Sequence, residues 1–209
     1  SDTLGTLTVH GHGGSNAAAA VDATAAGDLW DNTLGISTGN AGNSPKAGPG
    51  GDGLVQYTLP TLADGVAINA TYASAGENNE GSGAIGLVYT GIEGLTVSLG
   101  SAEDNSSSTV TADYTTMKAS YAYGSITAAI SSSEYDHTTA ANDQEVKSWG
   151  LTYTVTDDIS VTYGVDTIEN NTDTADVEVD GISASYTSGG MTVTAKRVSA
   201  DNVDGSSTG

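Results

Sequence analysis

Two groups of residues in this sequence carry side chains that could bind a metal ion. His10 and His12 stand two residues apart, so in a strand both imidazoles would share one face and could hold a metal together. Asp176, Glu178 and Asp180 place carboxylates at alternate positions as an EF-hand loop does, but the later oxygen ligands of that loop are missing. The histidines have no third ligand at a suitable spacing, and the acids lack the later ligands. Both groups are therefore better explained as polar strand ends.

Catalytic motifs are missing from the chain. It has no G-x-S-x-G and no H-E-x-x-H stretch, and the glycines at 11–14 lack the third glycine of a dinucleotide-binding loop. With no cysteine, a thiol nucleophile, a thiolate metal site and a disulfide are all excluded. The sequence therefore predicts a protein that is not an enzyme and needs no cofactor, although its acidic loops offer ligands for divalent cations such as calcium.

Composition and charge limit both the interior and the partners. The 209 residues contain 6% aromatics, no Phe, 28 Gly and 37% hydrophobic residues, which is too little bulk to fill the core of a two-layer domain. The formal charge is −21, so nucleic acid would be repelled. Cations and neutral solutes remain as partners.

Strand-like alternation organises the chain. In SWGLTYTVTDDISVTYGV, residues 148–165, large apolar residues alternate with Ser, Thr and Gly on both sides of a short turn, which is typical of a β-hairpin with one apolar face. The pattern predicts eleven strands and no helix. Their centres lie near 3–10, 53–59, 65–74, 84–90, 94–101, 111–123, 125–133, 146–155, 159–167, 177–187 and 191–199.

The connections between these strands alternate between short and long. Short turns lie at 60–64, 91–94, 124–125, 156–158 and 188–190, whereas long polar stretches lie at 75–83, 102–109, 134–145 and 168–176. Acids concentrate in the long stretches, so one end of the sheet is predicted to be acidic.

The apolar face needs a partner that the chain does not contain. A lipid bilayer supplies it, because a tilted strand of about 9–11 residues crosses a membrane and a closed sheet pairs every backbone group there.

Five tyrosines precede short turns at intervals of about 30 to 34 residues. They are Tyr57, Tyr89, Tyr123, Tyr153 and Tyr186. At one height above the turns they would form the aromatic girdle of a membrane barrel. The alternative is that tyrosine simply favours strands.

The sequence resembles a family, the outer-membrane general porins of alphaproteobacteria, most closely those of marine oligotrophs. The resemblance covers nearly the whole chain and rests on LGTLTVHGHGG followed by AGDLWDN, on DGLVQYTLP, and on the hairpins GLVYTGIEGLTVSLGSAED, SWGLTYTVTDDISVTYGVDTIEN and GISASYTSGGMTVTAKR. It implies an antiparallel up-and-down transmembrane β-barrel of sixteen strands. Residues 1–209 would then form a single, partial barrel domain that lacks the first four strands and the last.

The resemblance also assigns a pore site. It implies that the loop from Gly11 to Asp52 folds into the barrel and constricts the passage, although from its Gly, Ala and Asn content alone a disordered surface loop is the stronger reading. The constricting acids would be Asp22, Asp28, Asp31 and Asp52. Lys118, Lys196 and Asp166 are assigned to the lumen, whereas Lys147 and Arg197 have the opposite strand parity and belong near the rim.

The function implied is passive diffusion of small hydrophilic solutes and ions through a water-filled channel in the outer membrane of a Gram-negative bacterium. The excess of acids predicts a preference for cations. The other partners expected are membrane lipid, lipopolysaccharide and two further copies in a homotrimer. A secreted acidic β-rich adhesin or surface-layer protein is the alternative, and it would be soluble without detergent.

Overall fold

The structure is a computed structural model, and it describes residues 4–27, 29, 44–46, 53–74, 81–107 and 110–202. Eleven β-strands form one sheet within these residues. They are β1 Thr6–His10, β2 Leu54–Thr58, β3 Val66–Ala73, β4 Ser82–Ile92, β5 Leu95–Ser107, β6 Val110–Tyr123, β7 Ile126–His137, β8 Gln144–Thr156, β9 Ile159–Asn170, β10 Val177–Ser188 and β11 Met191–Asp201. A short 3₁₀ helix, Ala140–Asn142, joins β7 to β8.

The strands follow one another in the sheet in chain order, and each is antiparallel to its neighbours. This is the up-and-down arrangement that the alternation predicts. In the part of the chain that the structure describes, no pairing joins β1 to β11. Nor do the described residues include a helix that is both long and apolar enough to cross a membrane.

Glycines lie in several of the short turns. Gly94 between β4 and β5 has φ 76° and Gly124 between β6 and β7 has φ 59°. Both values lie in the left-handed region, where a side chain is strained and glycine is not, so two-residue turns can form at these points.

All eleven predicted strands are present, but several are longer than the sequence indicates. The prediction of a long polar connection at 102–109 is wrong, because β5 extends to Ser107 and β6 begins at Val110. Glu103 faces Asp113 across this extension. Backbone pairing needs no apolar side chain, so polar residues can continue a strand beyond the apolar band. β7 likewise extends to His137.

The two faces of the sheet differ in what covers them. One face carries large apolar side chains that stay exposed, such as Trp149 at 45% and Leu151 at 46%, and we call it the bare face. Its other exposed members include Leu7, Val9, Leu99, Met117, Ile130, Tyr163, Ile182 and Val193. The opposite face, which carries Ser148 and Gly150, is covered in part by residues 16–27 and 29, and we call it the loop face. So much exposed apolar surface marks an interaction face.

The buried apolar residues lie on the loop face. In the larger cluster, Leu29 packs on Val146, Ile168, Val177 and Val179, all less than 10% exposed. A smaller one joins Ala18 to Ala102 and Tyr114. Apolar side chains therefore replace the expected small polar ones where a residue of the long connection docks on the sheet.

Candidate functional site

The candidate site is the track that residues 16–27 and 29 follow across the loop face. The backbone N–H of Ala17 donates to Thr71 Oγ1 on β3 at 2.9 Å, and that of Ala25 donates to Ser148 Oγ on β8 at 2.8 Å. Between these points the chain turns locally, with Asn16 Oδ1 accepting from the Ala19 N–H at 2.7 Å. The segment thus runs across the strands from β3 to β8.

Four polar side chains stand in one cross-strand row beneath this segment. Lys118, Ser131, Ser148 and Asp166 lie directly opposite one another on β6, β7, β8 and β9. Ser131 Oγ donates to the Ala23 carbonyl oxygen at 2.8 Å. Since the first three members each bond to residues 22–25, the row holds the backbone of that stretch; we call these four residues the clamp row.

Lys118 forms the charged contact of the clamp row. Its Nζ lies 2.6 Å from Asp22 Oδ2 and donates to the Thr24 carbonyl oxygen at 2.8 Å. Burial raises the pKa of Asp22, but the hydrogen bond from Lys118, those from Thr24 and the lysine charge outweigh it, so the pKa lies below its ordinary value. Asp22 is therefore an anion whose charge is offset by a cation at contact distance.

Asp166 lies at the other end of the clamp row and is completely buried. Ser148 Oγ donates to Asp166 Oδ1 at 2.5 Å. A hydroxyl has one proton to donate, so this bond leaves the lone pairs of Ser148 free to accept the Ala25 N–H. Ser148 thus stands between the carboxylate and the loop and is hydrogen-bonded to both.

Glycines form the floor on which the segment rests. A Cβ added at Gly150 would stand 3.0 Å from both the Ala25 carbonyl oxygen and the Ala26 Cα, and one at Gly86 would collide with the Ala17 carbonyl. Similar contacts await a side chain at Gly100, Gly164 and Gly181, and the pairs Gly86–Gly100 and Gly150–Gly164 face each other across strands. Glycine in a strand marks a close backbone approach, and here it admits the loop.

A second attachment lies farther along the same connection. Lys46 N–H donates to Gln144 Oε1 at 2.7 Å, and Gln144 Nε2 donates to the Ser44 carbonyl oxygen at 3.1 Å. Lys46 Nζ donates to the Asn142 carbonyl oxygen and lies 5.3 Å from the centroid of the Tyr135 ring. Burial lowers the pKa of Lys46, against the opposing charge of Asp143. Residues 44–46 are thus fixed to the β7–β8 connection.

The predicted site residues lie in different surroundings. Asp22, Lys118 and Asp166 meet at the clamp row, where Asp166 is buried beneath the loop. Lys196 lies on β11 opposite Ser183, on the loop face. The predicted constriction residues Asp28, Asp31 and Asp52 lie outside the described residues.

The tyrosines of the predicted girdle each lie within three residues of the end of a strand that leads into a short turn. Tyr57, Tyr123, Tyr153 and Tyr186 are exposed on the bare face, and Tyr89 is half-buried. Their common height stays a prediction.

Of the two histidines weighed as metal ligands and interpreted as a polar strand end, His10 has a polar neighbour. His10 Nε2 lies 3.2 Å from Gln56 Oε1. Among the residues that the structure describes, no group of three or more His, Asp or Glu side chains is placed to hold a metal ion.

Sequence reasoning missed Thr71, Ser131, Gln144 and the glycine floor. The available signal was the glycines at mid-strand positions of the loop face, such as Gly100 and Gly150, where a strand with one solvated face has no need of them.

An antiparallel up-and-down sheet with an exposed apolar face, a polar opposite face and a long connection across that face defines the class of porin-type membrane proteins. A family model described as Gram-negative porin matches residues 3–206. The chain therefore belongs to the Gram-negative porin family, whose place is the outer membrane.

Solved structures share this fold. A porin refined at 1.8 Å resolution is 17% identical with a TM-score of 0.64, over 95% of this chain and 73% of that one. A loop L8 deletion form of OmpT, an outer membrane protein of Vibrio cholerae, is 19% identical with a TM-score of 0.62, over 95% and 70% of the two chains. An anion-selective porin from Comamonas acidovorans is 15% identical with a TM-score of 0.53, over 65% and 44%.

The chain spans 54% of the length of the in-vitro folded OmpT structure that it also matches. No curated protein sequence matches the chain at a significant level.

Proposed function

We propose that this chain forms the wall and the constriction of a water-filled outer-membrane channel, through which small hydrophilic solutes and ions diffuse passively. One observation carries the proposal: residues 17–25 are held across the polar face of a porin-type sheet by bonds that reach from β3 to β8. A segment fixed there narrows any lumen that this face encloses. Diffusion requires no catalytic residue.

Planar bilayer recording of the full-length protein tests the channel. We expect stable single-channel steps, and a higher conductance when residues 16–29 are replaced by a short glycine-serine linker, because the passage widens. Liposome swelling with sugars of increasing size should show a larger size limit for the same variant. A linker variant with unchanged conductance and size limit would show that this loop is not the constriction.

We further propose that the channel prefers cations. The chain carries a formal charge of −21, and at the end of the sheet next to the long connections rows of acids such as Glu134, Glu145 and Glu169 face one another across the ends of β7, β8 and β9. A negative field of this kind raises the local cation concentration. Its reach falls from about 10 Å at 0.1 M salt to about 3 Å at 1 M.

Reversal potentials in a KCl gradient measure this preference. We expect selectivity for K⁺ at low salt that weakens at high salt, and a smaller preference when Asp28 and Asp31 are both replaced by Asn. Asp64→Asn is the matched control, because Asp64 is an exposed acid in a connection at the opposite end of the sheet. Anion selectivity at low salt contradicts the proposal.

A homotrimer of the marine alphaproteobacterial porin type is the proposed assembly. The sequence resemblance supports it, and OmpT of Vibrio cholerae, a fold relative at 22% identity and a TM-score of 0.53, has a trimer form. Light scattering of the full-length protein in detergent should give the mass of three chains. A monomeric mass at all detergent concentrations would exclude this assembly.

A further inference from the structure

The clamp row has an internal order that goes beyond a set of polar contacts. Its members bond to consecutive stretches of the loop: Lys118 to Asp22 and Thr24, and Ser131 to Ala23. Ser148 accepts from Ala25 at the next strand. The loop backbone is thereby held at successive strands.

The direction in which Ser148 hydrogen-bonds is set by Asp166, the residue at one end of the clamp row. Ser131 donates its proton to a carbonyl oxygen of the loop, whereas Ser148 must accept an N–H from it. A serine hydroxyl can do either, so something must fix the proton of Ser148 away from the loop. Asp166 does so, because a carboxylate oxygen 2.5 Å away takes that proton as acceptor.

We infer that Asp166 is a positioning residue for the constriction loop, acting through Ser148, and that Asp22 and Lys118 serve the same attachment rather than the attraction of ions. Asp166 is fully buried, so a passing ion cannot contact its carboxylate, and Asp22 is already paired with Lys118. The inference rests on the proposed function only where it says that the attached loop is the constriction of a channel. The attachment itself is a property of the folded chain.

The glycine floor supports this inference independently. Gly150 lies two residues from Ser148 on the same face, and a side chain there would meet the Ala25 carbonyl oxygen, so the floor and the hydrogen bond fix the same loop residue. Both contacts require the loop backbone to lie within van der Waals distance of the sheet. The site is therefore built to hold the backbone close.

Hydrogen–deuterium exchange of backbone amides tests the role of Asp166 in the full-length protein folded in detergent. We expect Ser148→Ala and Asp166→Ala each to quicken exchange of the Ala25 amide by about fivefold, the effect of one lost hydrogen bond. In the double variant the two effects should not add, because they act through one bond. Ala17, which Thr71 holds, should keep its exchange rate and serves as the internal reference.

Two further variants keep the test decisive. Asp166→Asn retains an acceptor oxygen and should exchange as the wild type does, and Ser185→Ala, which alters a loop-face hydroxyl beside Thr194 on β11, is the matched control. Unchanged Ala25 exchange in Asp166→Ala, or additive effects in the double variant, would overturn the inference. If Asp166→Ala does not fold, unchanged exchange in Ser148→Ala overturns it alone.

Currents separate attachment from ion attraction. Asp22→Asn leaves Lys118 unpaired and Lys118→Met leaves Asp22 unpaired, so each single variant changes the local charge, whereas the double variant removes the pair without changing the net charge. If the pair attaches the loop, the double variant should increase open-channel current noise while its reversal potential stays close to that of the wild type. Unchanged noise in the double variant would contradict the inference. A protein that folds but conducts no ions would refute the proposed function and leave the exchange result standing.

Discussion

Strand β8 shows on its two sides how differently the faces of this sheet are specified. Trp149 and Leu151 stand exposed on the bare face and touch mainly apolar neighbours such as Tyr163, whose ring centroid lies 5.6 Å from that of Trp149. Ser148 and Gly150, their neighbours in sequence, each meet one particular atom or group of the loop. The bare face requires only that its side chains be apolar. The loop face requires side chains of a particular size and with a particular hydrogen-bond direction.

The difference follows from what each face has to fit. The proposed partner of the bare face is lipid, whose chains adapt to any apolar surface, so Leu, Ile, Val and Trp should replace one another there at small cost. A folded loop has a fixed shape and fixed donors, so the residues beneath it tolerate few changes. Substitutions on the two sides of the same strand should therefore have opposite sensitivities.

Charge placed on the bare face should have the largest effect. Leu151→Arg puts a cation against lipid and should destabilise the folded protein by about 2 to 4 kcal/mol. Thr152→Arg, one residue along, points to the loop face, where Thr152 Oγ1 lies 2.8 Å from Thr162 Oγ1, and should cost less. Urea titration in phospholipid vesicles measures both. Equal losses would mean that the bare face does not meet lipid.

Added bulk on the loop face should come next. Gly150→Ala and Gly86→Ala force loop atoms away from the sheet, and overpacking of this kind costs about 1 to 3 kcal/mol. Gly83→Ala is the matched control, because Gly83 lies on β4 as Gly86 does and a Cβ there meets no atom within 4 Å. The same titration compares the three. An equal loss of stability in Gly83→Ala and Gly86→Ala would show that strand propensity, and not contact with the loop, causes the loss.

The smallest effect should distinguish the ion pairs of the two faces. Because the pKa of Asp22 is lowered, its contribution to stability is present above the unfolded value of about 3.9 and is lost as pH falls through the folded value. Asp22→Asn should therefore lower the melting temperature slightly at pH 7, and this deficit should shrink as the pH falls below about 3.9. Glu145→Gln, which breaks the 2.7 Å pair with exposed Lys147, should leave the melting temperature unchanged at every pH. An Asp22→Asn deficit that is constant with pH contradicts the assignment.

The sequence predicts the sheet because each strand carries its own period-two pattern. The alternation of Trp149 and Leu151 with Ser148 and Gly150 determines both the strand and the faces, without knowledge of any distant residue. Strand ends were less predictable, since β5 continues through Glu103 on backbone pairing alone.

The candidate site could be predicted only in part, because its contacts are distant in sequence. Lys118 was assigned to the polar side from parity, but nothing local links it to Asp22, 96 residues away. Asp166 was assigned to the lumen, and the structure buries it because the loop lies above it. Burial by a loop follows from the fold of the whole chain and leaves no periodic pattern in β9.

The up-and-down order also has a kinetic consequence. Each strand can pair as soon as the next hairpin forms, so the sheet can grow by steps that close only short loops. The bonds of residues 17–25 to the sheet instead span 54 residues to Thr71, 108 to Ser131 and 123 to Ser148. They cannot all form until β8 is in place, and the contacts of Leu29 with Gly181 and Val179 need β10 as well. The loop lies between β1 and β2 in sequence, yet its attachment depends on strands that come late in the chain.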